Sequence, residues 1–200
     1  MRYPAGHKER TRRRIVTTAA RCFREKGFAG AGVDDVMKGA GLTAGGFYAH
    51  FASKKTLLRE SLAEGTRQTR ERLFVGLDDA DGLEWMTAVV QRYLSRTHRD
   101  SVGEGCTLPA LAAEVSRQGR RAREAFEAYF QGLAAELGQK APALPGLPSE
   151  DRALSSLALF AGGLMLARAV RDPALSDRIL RACRRLALPE ASPAREGARS

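Results

Sequence analysis

The amino-acid sequence predicts an all-α protein. Three observations carry that expectation. Apolar residues return at three- and four-residue steps along most of the chain, the period of one helix face. No convincing strand and no internal repeat interrupts them. Glycine, proline and capping residues separate the periodic stretches at helix-length intervals. About nine helices are expected, three in an N-terminal helix-turn-helix unit and the rest in a C-terminal unit.

The first helix is expected over 8–26, where Ile15, Val16, Ala19, Cys22 and Phe23 make one apolar stripe. Gly27 is expected to end it in a left-handed turn, with Phe28 folding back on Phe23. Gly32 then precedes VDDVMKGA, in which Val33, Val36, Met37 and Ala40 share a face. Asp34 and Asp35 fall in the first turn, where the helix dipole favours acids. Gly41 ends this short helix. Thr43 is the expected cap of the next, over 44–51, with Leu42 and Phe47 as a hydrophobic staple. Two short helices joined by a tight glycine turn make a helix-turn-helix pattern. The second is a poor helix by propensity, since Gly45 and Gly46 each cost roughly 1 kcal/mol relative to alanine.

Ser53 should cap a longer helix to about Arg72, with Leu57, Leu58 and Leu62 inward. After a break at 76–82, Trp85, Met86, Val89, Tyr93 and Leu94 predict a helix to about His98, followed by a loop over 99–105. Thr107 to Val115 reads as helical, with Pro109 tolerated in the first turn. A long amphipathic helix carries Phe126, Tyr129, Phe130, Leu133 and Leu137 and is expected to end at Gly138. Residues 139–148 read as a Pro/Gly linker. Ser149 is the expected cap of a helix apolar around much of its girth, which therefore needs cover on more than one side. Asp172-Pro173 should start the last helix, carrying Leu175, Ile179, Leu180, Cys183 and Leu186. A disordered arm is expected at 1–7 and a disordered tail at 190–200.

Composition bounds the function. The net charge is +10, and residues 1–75 hold 16 Lys/Arg against 7 Asp/Glu while 76–200 hold 17 against 16. A basic front on a near-neutral body suggests a polyanion partner for the front alone. The cysteines at 22, 106 and 183 are odd in number and far apart, which argues for a reducing, cytoplasmic setting. No apolar run is long enough to span a membrane, and the basic N-terminus is not followed by a secretion signal core. His7, His50 and His98 have no metal-ligand spacing, and no nucleotide or catalytic fingerprint is present. No cofactor, no metal and no enzymatic activity are expected.

The N-terminal third resembles the TetR/AcrR family of bacterial transcriptional regulators. The resemblance rests on Phe23 with Gly27-Phe28, then on VDDVMKGAGLTAGGFYAHFASKKTLL from 33 to 58. It covers roughly 8–68, with the helix-turn-helix at about 31–50, and is weak beyond, except for GCTLPALAAEV at 105–115. It implies an all-α homodimer whose 8–68 domains grip a palindromic operator in double-stranded DNA. It also implies that residues 69–189 bind a small effector and dimerise through the last two long helices, most often as a repressor. The sequence departs from the family at Gly32 and Gly46, where relatives carry Ser or Thr, and at Lys55, where an acid is common.

A recognition helix places its N-terminal residues near base edges. Phe47 and Phe51, four apart, should face inward. Thr43, Ala44, Gly45 and Tyr48 then face outward, with Gly46 among the candidate contacts. Tyr48 and His50 suit backbone phosphates. Lys54 and Lys55 at a helix start make sense beside a phosphate. The arginines at 10, 12, 13 and 14 fit added phosphate contacts and a disordered basic arm equally well. For the effector, the apolar candidates are Trp85, Met86, Tyr93, Phe126 and Tyr129, which ordinary core packing explains as well. Cys106 joins them, in a Gly-flanked loop before a helix, where the amide dipole can lower a thiol pKa. It reads either as a redox or electrophile sensor or as a small packing residue. A non-specific nucleic-acid-binding protein is the other alternative, and it leaves the apolar C-terminal part unexplained.

Overall fold

A computed structural model describes residues 6–188. The expected tail at 190–200, and residues 1–5 of the expected arm, lie outside them. The described residues form nine α-helices and two 3-10 turns, with one isolated bridge between Leu144 and Leu147.

Helix α1 (His7–Gly30) begins within the expected arm and buries Ile15, Val16, Ala19, Cys22 and Phe23. Gly27 breaks its path with φ 74°. That conformation favours glycine, and a Cβ there would also lie 2.1 Å from the Glu114 carboxylate, which would have to swing aside. The Phe23 and Phe28 rings meet edge-on, centroids 5.6 Å apart. Helix α2 (Val33–Gly39) follows. Gly32 offers it no side-chain cap, yet its own amide donates to Asp35 Oδ2 at 2.9 Å. Lys26 donates to the other oxygen at 2.8 Å. Those two bonds, Lys26 first, hold the Asp35 carboxyl below its ordinary range.

The expected second helix of the motif is a 3-10 helix over Ala44–Ala49, ending short of residue 51. Its six residues, two of them glycine, have little helical preference of their own. Its aromatic anchors set its path: Phe47 and Phe51 are buried and stack at 5.6 Å. Thr43 occupies the cap position without a side-chain bond. Helix α3 (Lys54–Leu73) starts as expected, with Ser53 Oγ accepting from the Thr56 amide at 3.1 Å.

Helix α4 (Gly82–Tyr93) stops before the expected end at His98. Ser95 caps a separate helix α5 (Arg96–Asp100) by accepting from the His98 amide at 3.0 Å. It also donates to the Arg92 carbonyl at 2.8 Å, and His98 Nδ1 takes the Tyr93 carbonyl at 2.7 Å. The end of α4 is thus satisfied by side chains, and the chain turns. The expected loop at 99–105 is part helix, part 3-10 turn over Val102–Glu104. Helices α6 (Leu108–Val115) and α7 (Arg120–Lys140) follow. Gly138 does not end α7. It faces the start of α8, where a Cβ would make an ordinary contact 3.7 Å from the Ser149 carbonyl oxygen. The helix runs on to Lys140, whose ammonium ties down the carbonyls of Leu77, Asp78 and Ala80 at 2.7–3.2 Å. Helix α8 (Ser149–Ala169) takes Pro148 as its N-cap, so Ser149 is its first residue rather than its cap. Asp172 caps α9 (Pro173–Ala187) through the Ala174 amide at 2.9 Å.

Two apolar cores result. The first joins α1, α2, the 3-10 helix and the start of α3, and it also takes Leu111, Val115 and Ala122 from α6 and α7. The second joins α4, α7, α8 and α9 around Trp85, Met86, Tyr93, Tyr129, Phe160 and Leu164. Each such large side chain contributes roughly 1.5–3 kcal/mol on burial. Helix α3 spans both cores, and the boundary expected at 68/69 falls inside it.

Candidate nucleic-acid interface

The 3-10 helix presents a shallow outer face. Thr43, Ala44 and Gly45 are exposed on it, and Tyr48 is 75 % exposed. A Cβ on Gly45 would meet nothing within 4 Å, whereas one on Gly46 would touch Met37 Cε at 3.6 Å. Gly46 therefore lies at the floor and Gly45 at the rim. Phe47 sits directly beneath and holds the Tyr48 ring edge-on at 5.2 Å. A phenol that projects this far, with no partner among the described residues, is free for an external hydrogen bond.

The charged candidates divide. Lys55 is exposed and has no ion pair among the described residues. Lys54 turns inward: its ammonium lies 4.6 Å from the Phe28 ring centroid and reaches the Ala29 carbonyl at 3.5 Å. Burial lowers its pKa. A lysine at a helix start, which suggested a phosphate, thus already has partners inside the protein. His50 is half-buried, and its Nδ1 has no hydrogen-bond partner among the described residues. Burial first, then the positive charges of Lys8 and Arg12, lower its pKa, so its ring is neutral at neutral pH. Arg12 is committed as well, making two bonds to the Glu60 carboxylate and covering the Phe51 ring at 4.6 Å. Arg10, Arg13 and Arg14 remain exposed.

A second feature lies behind this face. A cavity of about 480 Å³ is bounded by Thr69 and Arg72 of α3, Gln91 and Arg92 of α4, Thr97 and His98 of α5, and the loop from Ser101 to Cys106. Of the six residues expected to hold an effector, only Cys106 lines it. Trp85, Met86, Tyr93 and Tyr129 are buried in the second core, and Phe126 packs between the two cores. The aromatic side chains fill space instead of enclosing it. The walls come from separate helices and mix polar groups with a larger share of apolar surface, Leu73 included.

Cys106 is 1 % exposed, with Sγ 3.1 Å from the Tyr129 hydroxyl. Reactive cysteines are partly exposed and sit beside cations, and this one is enclosed. Its amide donates to His98 Nε2 at 2.9 Å, while Nδ1–H of that ring donates to Tyr93. Burial pushes the His98 pKa down to about 4, so the ring is neutral and bridges two backbone groups. Burial also raises the Tyr93 and Tyr129 phenols well above their ordinary value.

Two links join the C-terminal part of the chain to the N-terminal core, the first of them through the cavity wall. Buried Arg24 of α1 donates from Nε to the Gly103 carbonyl at 2.8 Å and from Nη2 to Gln68 at 2.6 Å. Glu114 of α6 accepts from the Ala29 amide at 2.9 Å. Neither link is visible in the sequence: Arg24 stands next to the stripe residue Phe23, and its partner Gly103 is 79 residues away. Glu114 carries no local signal, because its partner is 85 residues away.

Among the described residues no helix is long and apolar enough to cross a membrane, and no group of His, Cys, Asp or Glu could hold a metal ion.

Residues 15–61 match the family model of bacterial regulatory proteins, tetR family. An uncharacterized HTH-type transcriptional regulator of Mycobacterium tuberculosis (strain CDC 1551 / Oshkosh) is 27 % identical over 187 residues, covering 90 % of this chain and 95 % of that protein. A TetR transcriptional regulator from Chloroflexus aurantiacus J-10-FL has the same fold, with TM-score 0.72, 24 % identity, and coverage of 89 % of this chain and 94 % of that one. The reduced form of Escherichia coli NemR is similar in fold as well, with TM-score 0.70, 24 % identity, and coverage of 89 % and 95 %.

Proposed function

The chain is a DNA-binding transcriptional regulator of the tetR family and not an enzyme, and on that premise we propose that it is a cytoplasmic repressor released from a palindromic operator by a small molecule. The observation that carries this reading is the outer face of the 3-10 helix: small or absent side chains at 43–46 beside a projecting Tyr48, all held on a buried phenylalanine pair. Such a face fits a major groove at close range. Thr43, Ala44, Gly45 and Gly46 approach the base edges, with the Ala44 methyl suited to a thymine methyl. Tyr48 and Lys55 take phosphates, which fix register. His50 and Lys54 act less directly, His50 as a neutral donor or acceptor at the rim and Lys54 by holding the α3 start against Phe28. The DNA-binding domain is placed at 8–68 and the effector and dimerisation domain at 69–189.

Dimerisation is assigned to α8 and α9. Leu154, Met165 and Leu166 on α8, and Leu175 and Leu186 on α9, are large apolar side chains left exposed. Two copies can bury them in an isologous four-helix contact. The effector is assigned to the cavity at Thr69, Arg72, Gln91, Thr97, His98 and Cys106. Its wall from 101 to 106 carries the carbonyl that holds Arg24, and α3 runs from the cavity to Lys55. A ligand that prefers another position of this wall shifts the population towards dimers whose recognition helices are wrongly spaced.

The test is selection of bound duplexes from a random pool. A two-fold symmetric sequence should emerge, its half-sites about one helical turn apart or a multiple of it. A recovered pool with no enriched sequence would overturn the reading.

A further inference from the structure

We propose that a groove between the start of α3 and the α6–α7 turn holds backbone phosphate of the DNA flanking the stretch under the recognition helix. This rests on the DNA-binding reading above and extends its footprint. The groove has a volume of about 440 Å³. Lys55 and Arg59 line one side, and Gln118, Arg120 and Arg121 line the other.

The first argument is charge. Lys55, Arg59 and Arg121 have no carboxylate partner among the described residues. Arg120 has only Glu124, at 3.4 Å, and its side chain is 88 % exposed. Three cations without counter-charge, with a fourth only loosely paired, repel one another where they converge, and an anion between them removes that cost. The backbone adds to the same field, because α3 and α7 both start here with no acid in their first turns. Helices α2 and α8 do carry acids there.

The second argument is position. Lys55 belongs to the DNA face, so the groove continues that face. The turn is also fixed to the DNA-binding domain, because Val115 and Ala122 on either side of it are buried in the first core. Its arginines therefore move with the recognition helix. The third argument is sequence. Arg117, Arg120, Arg121 and Arg123 fall in one acid-free run within a C-terminal part that is otherwise near neutral. Neither the effector cavity nor the dimer face uses them. Exposed guanidiniums hold a free small anion weakly, since water and salt screen them. They contribute strongly to a polyanion by releasing its condensed counterions.

The test uses the duplexes recovered by selection, at two lengths: ending at the last enriched base pair, and extended by several pairs on each side. Wild type should bind the long form more tightly. R120A/R121A should weaken binding to the long form about tenfold near physiological salt and make its salt slope shallower by about two units, one for each phosphate no longer neutralised. The short form should be bound equally by both proteins, and R120K/R121K should restore most of the long-form advantage. Equal affinity and slope on the long form would overturn the proposal. So would an equal loss on both lengths, which would place the arginines on the core site. Wild type stabilised by inorganic phosphate in a melting assay, with R120A/R121A unresponsive yet unaltered on DNA, would reassign the groove to a free anion and likewise overturn it. A pool without enrichment defeats the sequence-specific reading first, so the two failures are distinguishable.

Discussion

The two halves of this molecule build their sites in opposite ways. The proposed recognition face is made by consecutive residues, 43 to 48, and its proposed function lies in what is left exposed above Phe47 and Phe51. The cavity proposed for the effector is made by groups from α3, α4, α5 and a loop, and its proposed function lies in what the packing leaves unfilled. A contiguous site is written in residue spacing. A convergent one is written in tertiary contacts, such as Arg24 with Gly103, 79 residues apart. The contrast makes distinct demands on mutation: in the first half anchor and reader are separate residues, while in the second the wall is its own support.

The largest expected effect falls on an anchor. Phe47→Ala removes a fully buried ring from the first core, and such truncations cost about 3–5 kcal/mol. Urea unfolding should show a loss of that order together with loss of DNA binding. A loss under about 1 kcal/mol would mean that the 3-10 helix is held by something other than its phenylalanine pair.

The second effect tests the wall as support. His98 in the folded protein takes a proton only near pH 4, while the unfolded chain takes one near 6.5. Between those values the unfolded state binds more protons, so stability rises with pH. The contribution is complete above about pH 6.5 and is lost as pH falls towards 4. Between pH 7.5 and pH 5 the cost is on the order of 2 kcal/mol. His98→Gln should flatten that slope in urea titrations. An unchanged slope in the variant would remove His98 as its source.

This difference also explains what was legible in the sequence. The first-core helices, the break at Gly27, the Ser53 cap and the inward Phe47 and Phe51 all follow from local spacing and turn chemistry. The 3-10 form of the recognition helix did not, because 3-10 and α share nearly the same apolar period over six residues. The break at Ser95 was hidden because Ser and His also occur inside helices, and only the Tyr93 carbonyl and the Cys106 amide reveal why His98 turns the chain. Of the residues expected around an effector, Trp85, Met86, Tyr93 and Tyr129 are buried in the second core, and only Cys106 borders the cavity. Trp85 and Tyr129 are large enough to fill space, and the cavity lies where side chains of several helices and a loop fail to meet.

A reader should be separable from its anchor. Tyr48→Ala removes a ring that is mostly in water, so stability should change by less than about 0.5 kcal/mol. Affinity for the selected duplex should fall about tenfold, the loss of one phosphate bond and its packing. A mobility-shift titration with unchanged affinity would take Tyr48 off the interface.

The smallest expected effect separates reader from fold most sharply. Gly45 has no positive φ, and a Cβ there would meet nothing within 4 Å. The free protein therefore has no steric need for glycine at this position. Gly45→Ala should raise stability by roughly 0.4–1 kcal/mol, because the unfolded chain loses freedom. If the face approaches DNA as closely as its small side chains allow, the same methyl should weaken operator binding. Stability and affinity would then move in opposite directions from one added carbon. A variant that gains stability and binds DNA as well as wild type would show that the glycine is not kept low for the groove. Affinity would then rest more on the phosphate contacts of Tyr48, Lys55 and the flanking arginines than on backbone approach.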